Sequence, residues 1–406
     1  MFLSSRVKNS SHTLNVKMNE RLQELMEQGV HVYNLTQGQL PFKPSAELTN
    51  KIVSQVNFLK SFQYSPPEGF PEFKEKIRTH LEVTRQINLP KEEFSSIVSN
   101  GGKHSIYNAI GTMVDPGDEV VIIAPYWISY PAMITFWGGV PQVVSTKSYN
   151  AFIPDIDDIR KVLTSRTKMI ILNSPNNPSG LHYPDRWMDE FAVLMKDYPE
   201  TLILSDETYF DLYYYDPKPT YFYQKYPELL QQTLIVDGIS KTYLGPGLRM
   251  GFCLGPKKVI EGMAIIQAQS TSGPSSLVQR ALIELDWQKN VENLAPIKTY
   301  LRRNSDILRE AFKQKGLDNC WYQTTAAFYF TVDFTITPCF SLYKTEDGVD
   351  HAAQICSDLL EQENVAILAT SDFGLKNAAR ISLTLEKEAF TTAMEKLTQF
   401  LSKSKK

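Results

Sequence analysis

The sequence predicts an α/β protein, in which a mostly parallel sheet is covered by helices on both faces and a smaller α+β part follows. Short, continuously apolar, β-branched runs recur along the chain, and stretches with helical spacing separate most of them. Strands that are apolar throughout, without alternation, are typical of a sheet buried on both faces. After residue 294 this rhythm ends, which indicates a second structural unit.

The strands of the main body are predicted from their apolar runs. Six runs fit short buried strands, at residues 97–99, 120–124, 169–172, 202–204, 234–236 and 250–254. Helical patterns fall between them, for example at 105–113 and 187–196. Strands that alternate with helices predict crossover connections and parallel pairing. Residues 45–290 are therefore interpreted as one α/β domain.

The rest of the chain has a different pattern. The spacing of apolar residues predicts a long helix over 295–315, a strand over 327–332, a helix over 352–362, strands at 366–368 and 380–383, and a final helix. This part, 291–406, is interpreted as an α+β domain. A helix is also predicted over 15–28, and we expect it to pack on one of the two bodies.

Composition excludes several classes of protein. The chain has 406 residues, of which 42% are hydrophobic and 21% are charged, with a net charge of −3. Near-neutrality argues against a nucleic-acid or membrane-surface partner, and no apolar run approaches the ~20 residues of a membrane span. The four cysteines form no CxxC pair and the six histidines show no metal-ligand spacing. We expect a cytoplasmic protein without a metal.

Polar segments follow four of the predicted strands. They are residues 100–103, 173–180, 205–209 and 237–241. In an open α/β sheet, ligands bind at the carboxyl ends of the strands. These four segments are therefore expected to meet at one edge and to form a binding site.

The residue types in these segments suit one cofactor. The Gly101-Gly102 pair before a predicted helix can form an anion site, although a plain tight turn explains it equally well. Asp206 is a carboxylate at the end of a buried strand, where it needs a cation or serves as a helix cap. Lys241 in a similar place can become a nucleophile toward carbonyls, and Arg249 suits a phosphate. Together these parts predict a site for pyridoxal phosphate.

The sequence also resembles the class I aminotransferases of the pyridoxal-phosphate fold-type-I superfamily, especially aspartate aminotransferase-like members. The resemblance rests on residues 238–241 and 247–251, combined with Asn177-Pro178 and 206–209, and it covers essentially the whole chain. It implies a mostly parallel, mixed sheet of seven strands. It also implies a small domain formed by both chain ends, residues 1–44 and 291–406.

The resemblance assigns roles around pyridoxal 5′-phosphate. Lys241 matches the lysine that binds the cofactor covalently and moves a proton between Cα and C4′. Asp206 matches the acid that keeps the pyridine nitrogen protonated. Asn177 and Tyr209 match the pair that hydrogen-bonds the cofactor O3′. Trp127 matches the aromatic that stacks on the ring, and an ordinary packed tryptophan is the other interpretation of this residue.

The phosphate of the cofactor is assigned by the same resemblance. Gly102 and Lys103 match its backbone-amide donors, Ser240 lies nearby, and Arg249 matches its charged clamp. Tyr64 matches the tyrosine that reaches the phosphate of the neighbouring subunit. The resemblance therefore implies a homodimer with shared active sites.

The substrate side is assigned in the same way. Arg380 matches the arginine that holds the α-carboxylate of the substrate, and Gly38 matches the glycine that lies against this carboxylate. Trp127 and Asn177 are expected to contact the substrate as well as the cofactor. In some aspartate-like members, the lysine at the position of Lys103 is thought to meet a distal carboxylate. Proximity to the phosphate accounts for that lysine equally well.

Three departures from the family pattern concern substrate choice and phosphate binding. Gly238 stands where many members have a serine that donates to the phosphate, so that a water, Thr271 or Ser272 could replace the missing donor. The segments 38–42 and 326–328 also differ from the commoner sequences. None of these changes touches the lysine, the acid or the carboxylate arginine.

The resemblance implies an aminotransferase with a ping-pong mechanism. It would move the amino group of an L-amino acid to a 2-oxo acid such as 2-oxoglutarate, and aspartate or a similar amino acid is the best choice of donor. Alternatives are a broad aromatic, alanine, methionine or kynurenine-type aminotransferase and a C–S lyase on the same fold. A regulator on this fold would carry an added DNA-binding segment, for which residues 1–44 are too short and insufficiently basic.

Overall fold

The main body of the protein is a seven-stranded sheet. The computed structural model describes residues 2, 4–8, 15–343 and 348–404, so the predicted domain limits at residues 1 and 406 lie outside the described residues. The strands, in chain order, are β1 Tyr33–Asn34, β2 Phe94–Ser99, β3 Glu119–Ile123, β4 Val140–Val144, β5 Thr167–Asn173, β6 Leu202–Asp206, β7 Thr233–Gly238, β8 Gly251–Pro256, β9 Tyr329–Asp333, β10 Val365–Ala366, β11 Leu368–Ala369 and β12 Ala378–Ser382.

The large sheet has the order β2-β8-β7-β6-β5-β3-β4. Strand β8 is antiparallel to both of its neighbours, and the other pairings are parallel. This arrangement confirms the predicted mostly parallel, mixed sheet of seven strands. The carboxyl ends of β2, β5, β6 and β7 consequently lie at the same edge.

The helices have these bounds in the described residues: α1 Ser5–Lys8, α2 Asn15–Glu27, α3 Ala46–Gln55, α4 Pro71–Arg85, α5 Gly102–Met113, α6 Ser129–Phe136, α7 Ile156–Val162, α8 Asp185–Lys196, α9 Phe222–Lys225, α10 Ile239–Thr242, α11 Lys257–Ser270, α12 Ser276–Glu284, α13 Trp287–Glu292, α14 Ala295–Gln314, α15 Ala352–Glu363 and α16 Lys387–Leu401.

Helices cover both faces of the large sheet, because successive side chains of a buried strand point in opposite directions. Val121 belongs to a buried apolar cluster with Phe73 of α4 and Phe191 of α8. Its neighbour Val120 belongs to a separate cluster with Ile106 of α5. The sheet is thus buried on both sides, which explains the continuous apolar runs in its strands.

The two ends of the chain pack together. Strands β11, β12 and β9 form an antiparallel sheet, and β1 pairs in parallel with β10. Leu22 of α2 packs with Leu360 of α15, and Arg21 donates to both carboxylate oxygens of Glu361, at 2.6 and 3.0 Å. The N-terminal helix therefore packs on the C-terminal body.

Three features of the strands differ from the prediction: the run at 366–368 is divided, and neither β1 nor β4 was predicted. The run predicted as one strand at 366–368 is divided between β10 and β11, which pair with different partners. Strand β4 was not predicted, because it is a partly exposed edge strand that contains Pro141 and lacks a continuous buried pattern.

Candidate active site

The predicted strand ends converge on one cavity of about 320 Å³, within the size range of small-molecule sites. Eleven of the twelve predicted site residues line it: Gly38, Gly102, Lys103, Trp127, Asn177, Asp206, Tyr209, Ser240, Lys241, Arg249 and Arg380. Ile106, Asn173, Thr208, Pro246 and Tyr329 complete the wall. Tyr64, the twelfth predicted residue, is not among the lining residues.

Lys241 projects into this cavity from α10, the short helix that follows β7. Its Nζ donates to the backbone oxygen of Gly38 at 2.6 Å. Burial lowers the pKa of Lys241 to about 8, and the positive charges of Arg380 and Arg249 act in the same direction. A lysine with a pKa this low has a usable fraction of the neutral, nucleophilic amine near neutral pH.

Asp206 ends β6, and its side chain is held by two hydroxyl groups. Tyr130 donates to Oδ2 at 2.6 Å and Thr208 donates to Oδ1 at 2.8 Å. Burial raises the pKa of Asp206, whereas the hydrogen bonds from Tyr130 and Thr208 oppose that rise. The carboxylate is thus oriented in an apolar setting, where it can pair with a cation.

The anion end of the cavity is formed by glycines and an arginine. Gly101 has φ 86° and precedes α5, whose first two residues, Gly102 and Lys103, line the cavity. The first amides of a helix have no partner within it. Arg249 donates to the backbone oxygens of Pro246 at 2.8 Å and Asn100 at 3.1 Å. A Cβ on Gly101 would lie 2.6 Å from the Nη2 of Arg249. The glycine allows the guanidinium to approach the start of the helix.

Gly238 has a packing reason for lacking a side chain. A Cβ at this position would lie 2.9 Å from the Cα of Gly251 and 3.0 Å from the backbone oxygen of Met250. A serine therefore does not fit here without a shift of the backbone. Thr208 lines the cavity, whereas the two predicted substitutes, Thr271 and Ser272, do not.

Arg380, on β12, also lines the cavity and is 5% exposed, and we call this residue with its contacts the Arg380 end. Its Nη1 donates to the Oδ1 of Asn177 at 3.1 Å, and its Nη2 donates to the backbone oxygen of Thr36 at 2.7 Å. Its Nε is buried and has no hydrogen-bond partner among the described residues. The guanidinium also lies 4.4 Å from the ring centre of Tyr329. A fixed guanidinium with an unsatisfied donor is suited to a carboxylate.

Aromatic side chains complete the walls. The hydroxyl groups of Tyr209 and Tyr329 are 3.3 Å apart, and burial, together with Tyr329, raises the pKa of Tyr209 well above its usual value. Trp127 is half-buried, and the Nζ of Lys103 lies 5.0 Å from a ring centre of this residue. Burial, followed by the charge of Arg249, lowers the pKa of Lys103.

Tyr64 lies apart from the cavity of its own chain. It follows the short turn of residues 59–62, and its side chain is 95% exposed. The structure of one chain therefore does not bring this predicted residue to the site.

The donor set fits pyridoxal phosphate. A lysine with a lowered pKa, a buried carboxylate with both oxygens oriented, and an amide-and-arginine anion site face one cavity. The residues that hold Asp206, namely Tyr130 and Thr208, were not predicted, and neither was Tyr329. Tyr130 and Thr208 lie three residues after Trp127 and two after Asp206, but nothing in their residue types marks them as partners of a carboxylate. Among the described residues, no group of histidine, cysteine, aspartate and glutamate side chains could hold a metal ion.

The comparisons with known proteins agree with this geometry. Residues 30–397 match the family model described as aminotransferase class I and II. The chain is 31% identical over 408 residues to the aspartate/prephenate aminotransferase of Thermus thermophilus, covering 99% of both chains. It is 29% identical over 401 residues to the aspartate aminotransferase of Geobacillus stearothermophilus, again over 99% of each.

Solved structures give the same result. A single mutant of the Thermus thermophilus aspartate aminotransferase superposes with a TM-score of 0.88 at 30% identity, over 99% of this chain and 100% of that one. The same enzyme with maleate superposes with a TM-score of 0.87 over the same shares. No helix in the described part of this chain is long and apolar enough to cross a membrane.

Proposed function

This chain belongs to the class I and II aminotransferase family, and on that premise we propose that it moves the amino group of aspartate, or of a similar acidic amino acid, to a 2-oxo acid such as 2-oxoglutarate. The chain is an aminotransferase that uses pyridoxal phosphate. The observation that carries the proposal is the placement of Lys241, Asp206 and Arg380 around one cavity.

Pyridoxal phosphate, when bound, supplies a carbonyl that condenses with amines and a ring that accepts electrons. We assign Lys241 as the residue that holds it covalently and, once released, takes the proton from the substrate Cα as a general base. Its lowered pKa supports both roles. Asp206, oriented by two hydroxyl donors, would pair with the pyridine nitrogen, while Asn177 and Tyr209 would bind the ring oxygen and Trp127 would stack on the ring.

The phosphate is assigned to the anion end of the cavity. Gly102, Lys103, Ser240 and Arg249 all line the cavity, and their donors are assigned to the phosphate. Gly238 contributes no hydroxyl, so the assigned donors are two backbone amides, the hydroxyl of Ser240 and the guanidinium of Arg249.

Arg380 is assigned as the residue that binds the α-carboxylate of the substrate. The carboxylate would accept a hydrogen bond from the Nε of Arg380, unpaired among the described residues, close to Gly38. Fixing that carboxylate would limit the orientations of the Cα–H bond relative to the Nζ of Lys241. The contact between Lys241 and the backbone oxygen of Gly38 supports this placement.

The choice of an acidic substrate rests on Lys103. Its ammonium group lies beside Trp127 and lines the cavity that Arg380 also lines. Two cations around one cavity suit a dicarboxylate. The Thermus thermophilus relative has been solved with maleate, which is a dicarboxylate.

We further propose two domains, 45–290 and 1–44 with 291–406, and a homodimer with shared active sites. Lys241 and Arg380 then belong to different domains, and the cavity lies between them. Tyr64, exposed in one chain, is available to the cofactor phosphate of a second copy. The four cysteines are free thiols, which supports a cytoplasmic location, and small amino and 2-oxo acids are the other partners.

Spectroscopy and a panel of substrates test the function. The purified protein is expected to show a visible band that borohydride abolishes, and Lys241→Ala should lose both the band and amino transfer. A colourless wild type, even with added cofactor, would contradict the proposal. A panel of donors with 2-oxoglutarate should favour aspartate, and Lys103→Met should lower that preference. Release of pyruvate and ammonia in place of amino transfer would indicate a lyase.

Mixing two inactive variants tests the shared site. Tyr64→Ala and Lys241→Ala are each expected to be impaired. In a mixed dimer, one of the two sites receives its own Lys241 and the partner subunit's Tyr64, so activity should return in part. Mixing without any recovery would show that the sites are not shared.

A further inference from the structure

Arg85 forms a buried ion network directly behind the candidate active site. It is the last residue of α4, and its side chain is 0% exposed. Its Nε donates to the Oε2 of Glu207 at 2.7 Å, and its Nη2 donates to the Oδ2 of Asp237 at 3.0 Å. Its guanidinium carbon lies 3.3 Å from the ring centre of Phe210. One planar cation is thus fixed on three sides.

The two carboxylates belong to the strand ends that carry the site. Glu207 directly follows Asp206, and Asp237 lies four residues before Lys241. The backbone N–H of Glu207 donates to the oxygen of Val236 at 2.9 Å, which extends the β6–β7 pairing to this level. Arg85 therefore bridges the ends of the two strands from which Asp206 and Lys241 project.

The side chains of Asp206 and Glu207 have separate partners. Asp206, which lines the cavity, accepts hydrogen bonds from Tyr130 and Thr208, whereas Glu207 accepts hydrogen bonds from Ser205 at 2.8 Å and Tyr223 at 2.6 Å. Neighbouring residues of an extended chain point in opposite directions. Arg85 and Glu207 are not among the residues that line the cavity, so Arg85 acts from behind the site.

We propose that Arg85 is a positioning residue, which uses Glu207 and Asp237 to hold the ends of β6 and β7 at a fixed spacing. That spacing sets where Asp206 lies relative to Lys241. The positioning role of Arg85 rests on the functions proposed above for these two residues. A lysine cannot replace the arginine, because a single ammonium group lacks the planar fork that bonds two carboxylates.

Three variants test this role. Arg85→Lys keeps the buried charge but loses the bridge between the strands. The triple variant Arg85→Met, Glu207→Gln, Asp237→Asn removes the bridge without leaving a buried charge unpaired. Arg78→Met is the matched control: Arg78 lies on the same helix and is also buried, but it donates to the backbone oxygens of Leu89 and Phe94.

The measurements are the melting temperature, kcat and KM, and the pH midpoint of the visible cofactor band. Arg85→Lys and the triple variant are expected to lower kcat at least about tenfold, since displacements near 1 Å can reduce rates by up to ~100-fold. The band midpoint should shift, and the KM for the amino donor should change much less. Arg78→Met should keep kcat and the midpoint, even if it melts earlier.

A wild-type kcat and band midpoint in Arg85→Lys would overturn the positioning role, whatever the loss of melting temperature. The same result in the triple variant would also overturn it. If the triple variant does not fold, Arg85→Lys decides, because it leaves the buried charge in place. A wild type without the band would refute the proposed function itself, which is a different outcome.

Discussion

The two ends of the cavity each present an arginine, but they are built in different ways. Arg249 is exposed and donates to the backbone oxygens of Pro246 and Asn100, beside a glycine-containing helix start. Arg380 is 5% exposed and depends on contacts with Asn177 and Thr36, which are 203 and 344 residues away in the sequence.

This difference indicates what each end should tolerate. At the Arg249 end, an added Cβ on Gly101 would meet the guanidinium of Arg249, so this close approach should matter for cofactor binding. The Arg380 end depends on one buried guanidinium, so loss of that charge should harm it most.

Arg380→Met should lower kcat/KM for amino donors about 10²–10³-fold, because a buried, hydrogen-bonded charge pair with the substrate is lost. The affinity for the cofactor should stay near that of the wild type. Steady-state kinetics and cofactor titration of the apoprotein measure the two quantities. Arg249→Met is the comparison variant, and it should weaken cofactor binding more than donor binding. The reverse pattern would contradict the assignment of the two ends.

Gly101→Ala should weaken cofactor binding roughly 10–100-fold, because a non-glycine residue at positive φ is strained and its Cβ would lie 2.6 Å from Arg249. Gly117→Ala is the matched control, since Gly117 has φ +93° but a Cβ added there would meet no atom within 4 Å. Both variants carry the backbone strain, and only the first should change the dissociation constant of the cofactor. Equal constants in the two variants would show that the approach of Arg249 to Gly101 is unimportant.

Tyr329→Leu should raise the KM for the amino donor about 3–30-fold, the range expected for loss of a cation–π contact with Arg380. Tyr329→Phe keeps the ring and should retain most of the affinity. Donor titrations of the two variants separate the ring from the hydroxyl group. If Phe and Leu are equally poor, the hydroxyl next to Tyr209 is the important part.

The smallest effect concerns pH. Only the neutral amine of Lys241 attacks a carbonyl, so covalent loading of the apoprotein should speed up as the pH rises through about 8, the lowered pKa of this residue. Because the charge of Arg380 contributes to that lowering, Arg380→Met should move the midpoint upward. The rate at which the visible band appears, measured from pH 6 to 10, tests both statements. A midpoint near the usual lysine value of about 10.4 would contradict the burial of Lys241.

Most of the large sheet and much of the site could be predicted, because their signals are local. The apolar runs of β2, β3 and β5–β8 and the polar segments after β2, β5, β6 and β7 are contiguous in the chain. Strand β4 could not be predicted, since its exposure at the sheet edge removes the apolar pattern. Tyr130 and Thr208 were missed because a hydroxyl that bonds a carboxylate has no sequence pattern of its own.

Local patterns in the chain predict the class of fold, the edge at which the site forms, and the residue types that suit pyridoxal phosphate. The groups that hold those residues come from distant segments and are seen in the folded chain. The bridge from Arg85 to Glu207 and Asp237, and the contacts of Arg380 with Thr36 and Asn177, join segments far apart in the chain. Such contacts arise from packing, because a buried charge is stable only where folding brings a partner to it.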